Sequence, residues 1–534
     1  MRATVRLLTI ALALAAPTLA SAQAAPAADE QVARATALAR AGNTAEAERV
    51  FAQGQRSFPQ DARFPTELAG LAFQQKRYPR AASLLHAALR LAPGDTYTND
   101  FLATVYFLEG NTEAALKYWN RVGKPRVESV RAEPEPRVAP ALLDRAFAFA
   151  PASVVTLAQY RDSQARLDGM GIFPRPQLDL RARDDGSFDL VLRTAERDGF
   201  GSSRLEALFN VLHAAPFQAV HADYFNARGH AINVTSVYRW DANKRRVLAE
   251  LSGPLDRRAR FRYELGLDLR NENWAVRNGF SGAAPVLASL NLRREAGSIA
   301  VRSDRSDRLR WRIGGELSAR DLRSVDAGTM LTPQLRATGT ALKQFAEARS
   351  TLLNVPERRF ILAGSAREDA VRQWSTPQTS FTRLRGELVA RWLPQPQGDD
   401  YAMEDHLRAG RTFGAVPFDE LLMLGLERDN DLPLRAHIGT RDGRKGSAPL
   451  GRNYLANSWE LDKRLWGNGL MAVSLGPFLD AGAIADNNPA LGSHKWLADP
   501  GAQVKLRVFS TVVGFSYGKD LRSGSNAIYV TLLP

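Results

Sequence analysis

The sequence predicts a multidomain chain. It has an N-terminal all-α repeat stack, then a small α+β domain, then a C-terminal transmembrane antiparallel β-barrel of about 16 strands. Three observations predict this. A 34-residue period runs through residues 29–122. A strand–helix–strand–strand pattern occupies 138–198. From 203 to 534, apolar and polar residues exchange faces at every second position in short segments bounded by turn residues.

Residues 1–24 read as a secretory signal. Met1-Arg2-Ala3-Thr4-Val5-Arg6 is basic, Leu7 to Leu19 is apolar, and Ala20-Ser21-Ala22 or Ala22-Gln23-Ala24 offers small residues for cleavage. The apolar run is too short to span a membrane as a helix, and no later run reaches the roughly 18 residues a spanning helix needs. The chain is therefore expected to be exported. Cysteine is absent from all 534 residues, which excludes disulfides, thiol catalysis and zinc–thiolate sites. The net charge of +14 is spread along the chain, with no compact basic block. That argues against nucleic acid as a partner and fits a polar barrel lumen, or arginines near anionic headgroups.

The repeats are carried by small residues and prolines. Gly42-Asn43-Thr44-Ala45-Glu46-Ala47, Lys76-Arg77-Tyr78-Pro79-Arg80-Ala81 and Gly110-Asn111-Thr112-Glu113-Ala114-Ala115 stand in one register. Ala47, Ala81 and Ala115 are 34 residues apart, and so are Pro59 and Pro93. Alanine lets two helices approach closely, and proline stops the second helix of each unit. This pattern resembles the tetratricopeptide repeat. The resemblance implies either a concave docking surface for a peptide or partner, or a spacer.

Residues 123–137, with Pro125, Pro134 and Pro136, read as a stiff linker. Within 138–198, Leu142–Phe149 is expected to be extended and Val154–Leu167 helical, and Gln177–Ala182 and Phe188–Thr194 are expected to pair as strands across Asp184-Asp185-Gly186. Arg166 and Leu167, then Gly171-Ile172-Phe173, then the hairpin, then Glu196-Arg197 resemble a POTRA domain. Here Arg166 and Leu167 are adjacent, where that family spaces them by one residue. The resemblance implies an exposed strand edge with which a client chain can pair. Otherwise the domain is a connector with no client.

The barrel is expected to fill 203–534, with its first strand near Leu208. Alternating segments begin at Ala231, Arg246, Arg260, Ala288, Leu309, Arg359, Leu384, Ser458, Gly469, Ala502, Thr511 and Ala527. In Tyr263-Glu264-Leu265-Gly266-Leu267-Asp268-Leu269-Arg270, one face suits lipid and the other is charged. Trp240, Trp274, Trp311, Trp374, Trp392, Trp459, Trp466 and Trp496 fall mostly at segment ends, as an interfacial girdle requires.

The most specific stretch lies near the C-terminus. Phe478-Leu479-Asp480-Ala481-Gly482 places a carboxylate inside an apolar run. Gly501 opens a strand that ends in Arg507. A soluble core rarely accepts an unpaired carboxylate, whereas a barrel's inner wall can hold it against a cation. Phe-x-Asp-x-Gly followed by such a strand resembles the end of the bacterial surface-antigen family, the outer-membrane insertases of the BamA and TamA kind and the two-partner-secretion transporters. In that family an extracellular loop carries Val-Arg-Gly-Phe/Tyr and folds into the lumen. Here the corresponding stretch is Leu434-Arg435-Ala436-His437. The resemblance implies that Arg435 reaches Asp480, with Glu460 or Arg507 nearby, in a structural contact that holds the loop. The alternative is an arginine left in solvent. It also implies a weak seam between first and last strands; the last strand ends in Leu532-Leu533-Pro534 rather than an aromatic residue.

Enzyme chemistry finds little support. Gly514-Phe515-Ser516-Tyr517-Gly518 fits a hydrolase formula, but no helix is expected after it and no histidine follows Ser516. The seven histidines include no pair with metal-binding spacing, and no phosphate-binding glycine loop appears, so neither a metal nor a cofactor is expected. Asp399-Asp400 and Glu404-Asp405 read as turn and loop residues. By resemblance, the chain inserts or translocates client polypeptides at the outer membrane of a Gram-negative bacterium, with its N-terminal domains in the periplasm. Its partners would be membrane lipids, clients and a periplasmic accessory protein. A passive pore or polysaccharide exporter with a periplasmic repeat domain is the alternative, and a structural anchor a third possibility.

Overall fold

The computed structural model describes residues 16–174, 176–201, 203–256, 260–277, 284–375, 377–469, 471–508 and 511–533. Most of the expected signal and the terminal Pro534 lie outside them. The described chain forms two compact units, residues up to 127 with 154–157, and 128–153 with 158–534.

The first unit is helical: Ala16–Arg40, Thr44–Ser57, Arg63–Gln74, Tyr78–Leu91, Thr96–Leu108 and Thr112–Trp119. Three of these helices start 34 residues apart, at Thr44, Tyr78 and Thr112. The turn before each contains a residue with positive φ, Gly42, Lys76 or Gly110, again at that interval. Ala47, Ala81 and Ala115 are completely buried, as close helix crossings demand. Phe51, Phe64, Leu68 and Leu71 form the core of the first turns of the stack. Asp95 and Asn111 cap their helices by accepting from the backbone N–H groups of Thr98 and Ala114. No described helix is long and apolar enough to cross a membrane.

The second unit begins with a small α+β region. Its strands are β1 (Arg126–Glu133), β2 (Ser153–Val154), β3 (Gln177–Ala182) and β4 (Phe188–Arg193), ordered β2-β1-β4-β3. Helix Leu157–Met170 packs on this sheet, and the Tyr160 hydroxyl donates to the Leu178 carbonyl at 2.8 Å. Leu142–Phe149 is not extended. Pro140 presets the first turn of a helix that runs to Ala146. Most of the region falls in the same compact unit as the large sheet. The Asn233 amide donates to the Met170 carbonyl at 2.9 Å, the Arg302 guanidinium to the Gly169 carbonyl at 2.8 Å, and the Asp307 N–H to the Asp162 carboxylate at 2.9 Å.

The large sheet contains β5 (Ala219–Val220), β6 (Asn233–Asp241), β7 (Lys244–Pro254), β8 (Arg262–Arg277), β9 (Val286–Ser303), β10 (Arg310–Arg323), β11 (Gly339–Val355), β12 (Phe360–Trp374), β13 (Ser380–Trp392) and β14 (Tyr401–Gly414). Four two-residue strands follow, β15 (Leu422–Met423), β16 (Thr440–Arg441), β17 (Arg444–Lys445) and β18 (Leu450–Gly451), of which β15 and β18 form a separate two-stranded sheet. The rest are β19 (Asn453–Gly467), β20 (Met471–Ala485), β21 (Leu497–Val508), β22 (Thr511–Lys519) and β23 (Asn526–Leu533). Long neighbours pair antiparallel in chain order, with β14 pairing directly to β19. The strand order is that of a barrel in which β23 stands next to β5. Seventeen strands take part among the described residues, fourteen of them eight residues or longer. The sheet starts later than expected: Leu208 lies on a helix, Arg204–Leu212, capped by Ser203.

Alternation sorts the two faces of the sheet. On β8, Leu265 and Leu267 are exposed while Glu264 is buried. Ile313 and Leu317 on β10, Leu475 and Leu479 on β20, and Phe515 and Tyr517 on β22 are likewise exposed apolar residues. Their alternate neighbours, Phe478, Asp480 and Ser516, are buried. An apolar outside and a charged inside suit a strand wall between lipid and a polar lumen. Trp240, Trp374, Trp392, Trp466 and Trp496 are exposed, as a girdle requires. Trp274 is different, since it packs edge-on against Phe418 with ring centroids 5.0 Å apart.

Candidate functional site

The site is the connection from β14 to β19, which lies against the inside of the sheet. Its own residues explain why it stays there. Leu424, Leu432 and Leu434 are buried in one cluster with Ala456 of β19, Ile484 of β20 and Leu497 of β21. Its tip is the β16–β17 hairpin, turned through Asp442-Gly443, both with positive φ. Asp-Gly tolerates that left-handed pair, which two-residue hairpins favour.

Charge fixes the loop at three stations. At the first, Arg320 Nε lies 3.2 Å from Asp419 and Lys343 Nζ 2.7 Å from Glu420, and Arg294 also reaches Asp419 at 3.2 Å. At the second, Lys445 Nζ lies 2.7 Å from both Glu272 of β8 and Asp429 of the loop itself. The third station is Arg435. Its guanidinium donates from Nη2 to Asp480 Oδ1 at 2.7 Å and from Nε to Asp480 Oδ2 at 2.8 Å. Nη1 donates to Glu460 at 3.2 Å and to the Gln503 side-chain oxygen at 2.8 Å, and Nη2 to the Ser458 hydroxyl at 3.0 Å. The fork therefore satisfies a bidentate carboxylate and spreads over three strands. Burial would pull the Arg435 pKa down, but Asp480 and Glu460 hold it above the usual arginine value.

Phe478 supplies the floor, with the Arg435 guanidinium carbon 3.7 Å from its ring centroid. Opposite Phe478 in the β20–β21 register stands Gly501. A Cβ there would collide with the Phe478 ring and with the Tyr517 carbonyl, so only glycine leaves room for the ring. Gly482 pairs with Ala456 and Leu497, two residues beyond Asp480.

The structure thus brings Arg435, Asp480, Glu460 and Phe478 together. Arg507 stays out: it makes no hydrogen bond or ion pair with these groups among the described residues. Gln503 and Lys505, nearer along the same face of β21, take the place expected for it, and Lys505 lies 2.6 Å from Glu460. Gly171, Ile172 and Phe173 lie elsewhere, in the α+β region. Gly171 has φ +71°, Ile172 and Phe173 are buried, and the Ile172 carbonyl accepts from the Arg197 N–H at 2.7 Å. Glu196 accepts from the Val138 N–H at 2.9 Å. Glu404 and Asp405 are not loop residues but part of β14.

Sequence reading missed a second cluster one residue beyond Arg435. Asp499 faces Asp480 directly across the β20–β21 pair, and both are fully buried. Asp499 accepts from the Ala436 N–H at 2.6 Å and lies 2.9 Å from His437 Nδ1. His437 Nε2 lies 3.6 Å from Asp520, in the turn between β22 and β23. The one sequence signal was His437 itself, standing where the resembling loops carry an aromatic residue. Beside the loop, the interior retains a cavity of about 1000 Å³, lined among others by Arg246, Arg385, Glu387, His406 and Glu460.

No family model matches this chain, and no curated protein matches it. Solved structures do. BamA from Haemophilus ducreyi lacking POTRA domains 1–3 is 13% identical, with a TM-score of 0.41 over 76% of this chain and 82% of that one. CdiB from Escherichia coli is 14% identical, with a TM-score of 0.47 over 77% of this chain and 75% of that one. CdiB from Acinetobacter baumannii is 12% identical, with a TM-score of 0.43 over 76% and 73%.

Proposed function

We propose that this chain is an outer-membrane barrel protein that assists the insertion or translocation of client polypeptides. The observation that carries the reading is the inward loop clamped by Arg435 on Asp480 and Phe478. A wall carboxylate, a loop arginine and a Phe-x-Asp-x-Gly strand are the combination by which the chain resembles the surface-antigen family. The helical unit, read as tetratricopeptide repeats, and the POTRA-like region would lie in the periplasm and receive a client or an accessory protein. The apolar outer face of the strands would contact lipid. No nucleotide or cofactor enters this reading; client folding and strand pairing at the seam would supply the driving force.

The seam supports the same reading. The first strand of the sheet, β5, is only two residues long and pairs with Arg239 and Tyr238 of β6, so it has few backbone groups to offer β23 across the seam. The experiment is site-specific photo-crosslinking in cells, with probes at Val237 on β6 and Val530 on β23. Adducts with unfolded outer-membrane or secreted polypeptides are expected. Crosslinks confined to the two strands themselves would reject a client-handling seam. The charged cavity beside the loop favours the pore or exporter as second reading. Large conductance blocked by a carbohydrate would select it.

A further inference from the structure

We propose that His437, Asp499 and Asp520 form a divalent metal site that ties the inward loop to the last two hairpins of the barrel. The proposal is independent of what the barrel transports. One ligand atom from each of the three residues lies within 4.8 Å of the other two, and all three side chains are buried. An imidazole with two carboxylates is a donor set that zinc accepts.

Charge is the first reason to place a cation there. Asp480 and Asp499 stand directly opposite one another on β20 and β21 with no exposure to solvent. Like charges so placed repel strongly unless compensated. Asp480 has Arg435. Asp499 has no arginine or lysine ion pair among the described residues, and its neighbour across the imidazole is another carboxylate, Asp520. A divalent ion would compensate both.

The second reason is an unused ligand atom. Asp499 Oδ2 is occupied by the Ala436 N–H and His437. Asp499 Oδ1 is buried and finds no hydrogen-bond partner among the described residues. A buried carboxylate oxygen left so is costly, and a bound ion is one of the few ways to satisfy it. Asp520 is held in place for the task, since it accepts from the Arg522 N–H at 2.8 Å, the Ser523 N–H at 3.2 Å and the Ser523 hydroxyl. Such second contacts orient metal ligands.

The consequence is mechanical. Asp520 sits in the turn that leads into β23, the last strand of the sheet. A bound ion would couple the loop to the strand beside the seam.

The test uses the full chain, purified in detergent and stripped with chelator, with zinc as the probe. Calorimetric titration is expected to give one zinc per chain. Asp520→Asn and His437→Gln should each weaken it by about tenfold or more. Asparagine can still accept from Ser523, so the turn survives in that variant. Cobalt added to the wild-type chain supplies a readout needing no variant: a visible band of nitrogen-containing, low-coordinate ligation is expected. Absence of saturable zinc binding, or binding unchanged in both variants, overturns the site. So does a wild-type chain that shows no cobalt band.

Discussion

At the scale of the residue, Arg435 decides whether the loop stays. Arg435→Ala leaves Asp480 buried without its cation, and such one-sided removal costs about 3–5 kcal/mol. The expected outcome is a lower temperature for the folded-to-unfolded mobility shift on gels, with Asp480→Asn lowering it in the same direction. Removing both charges together, in an Arg435→Met, Asp480→Leu variant, should recover part of the loss, because no charge is then left stranded. Equal damage from single and double variants would show that the pair is not a unit. A carboxylate inside an apolar strand marked Asp480 as needing a cation, while Arg435 as that cation followed only from the resemblance of Leu434-Arg435-Ala436-His437 to the family's loop motif. The Arg507 expectation failed on reach: Gln503 and Lys505 lie nearer the loop along the same strand. Asp499 and Asp520 could not be foreseen, since nothing in their local sequence distinguishes them from turn residues.

At the scale of the element, the three charge stations along the loop are separate, so their losses should add. Glu420→Ala removes the partner of Lys343 and a neighbour of Arg383. Combined with Arg435→Ala it should lower the gel-shift temperature by nearly the sum of the single effects. A sum far from additive would mean the stations move as one body. In the helical unit, Asp95→Ala removes the cap on the Thr98 N–H and should cost about 1 kcal/mol. Faster amide exchange across Thr96–Leu108, with the barrel unchanged, would register it. Most strands could be read from alternation. β11 and β14 could not, because Ala341-Leu342-Lys343-Gln344 and Met403-Glu404-Asp405-His406 are built largely of helix formers or polar residues. Their strand state is imposed by neighbours on both sides. The helix Arg204–Leu212 did carry a signal, Ser203 with Glu206 three residues on, but it stands inside the interval read as strands.

At the scale of the whole molecule, the order of parts was visible in the sequence, while their association was not. A 34-residue period and a two-residue alternation announce different architectures; the period ends near the boundary of the first unit, and the large sheet begins only after the α+β region. That the α+β region joins the sheet's unit depends on contacts such as Asn233 to Met170 and Arg302 to Gly169. Residues so far apart in the chain give no sign of pairing. The central claim is that the loop lies inside and is held there by Arg435. Because the chain lacks cysteine, a single Leu434→Cys reports it without background. The rate of maleimide labelling should be measured on the purified protein, against Gly398→Cys in the turn before β14. The account predicts almost no labelling of Leu434→Cys, and rapid labelling once Arg435→Ala is added. Labelling of Leu434→Cys alone at the rate of the exposed turn would contradict it.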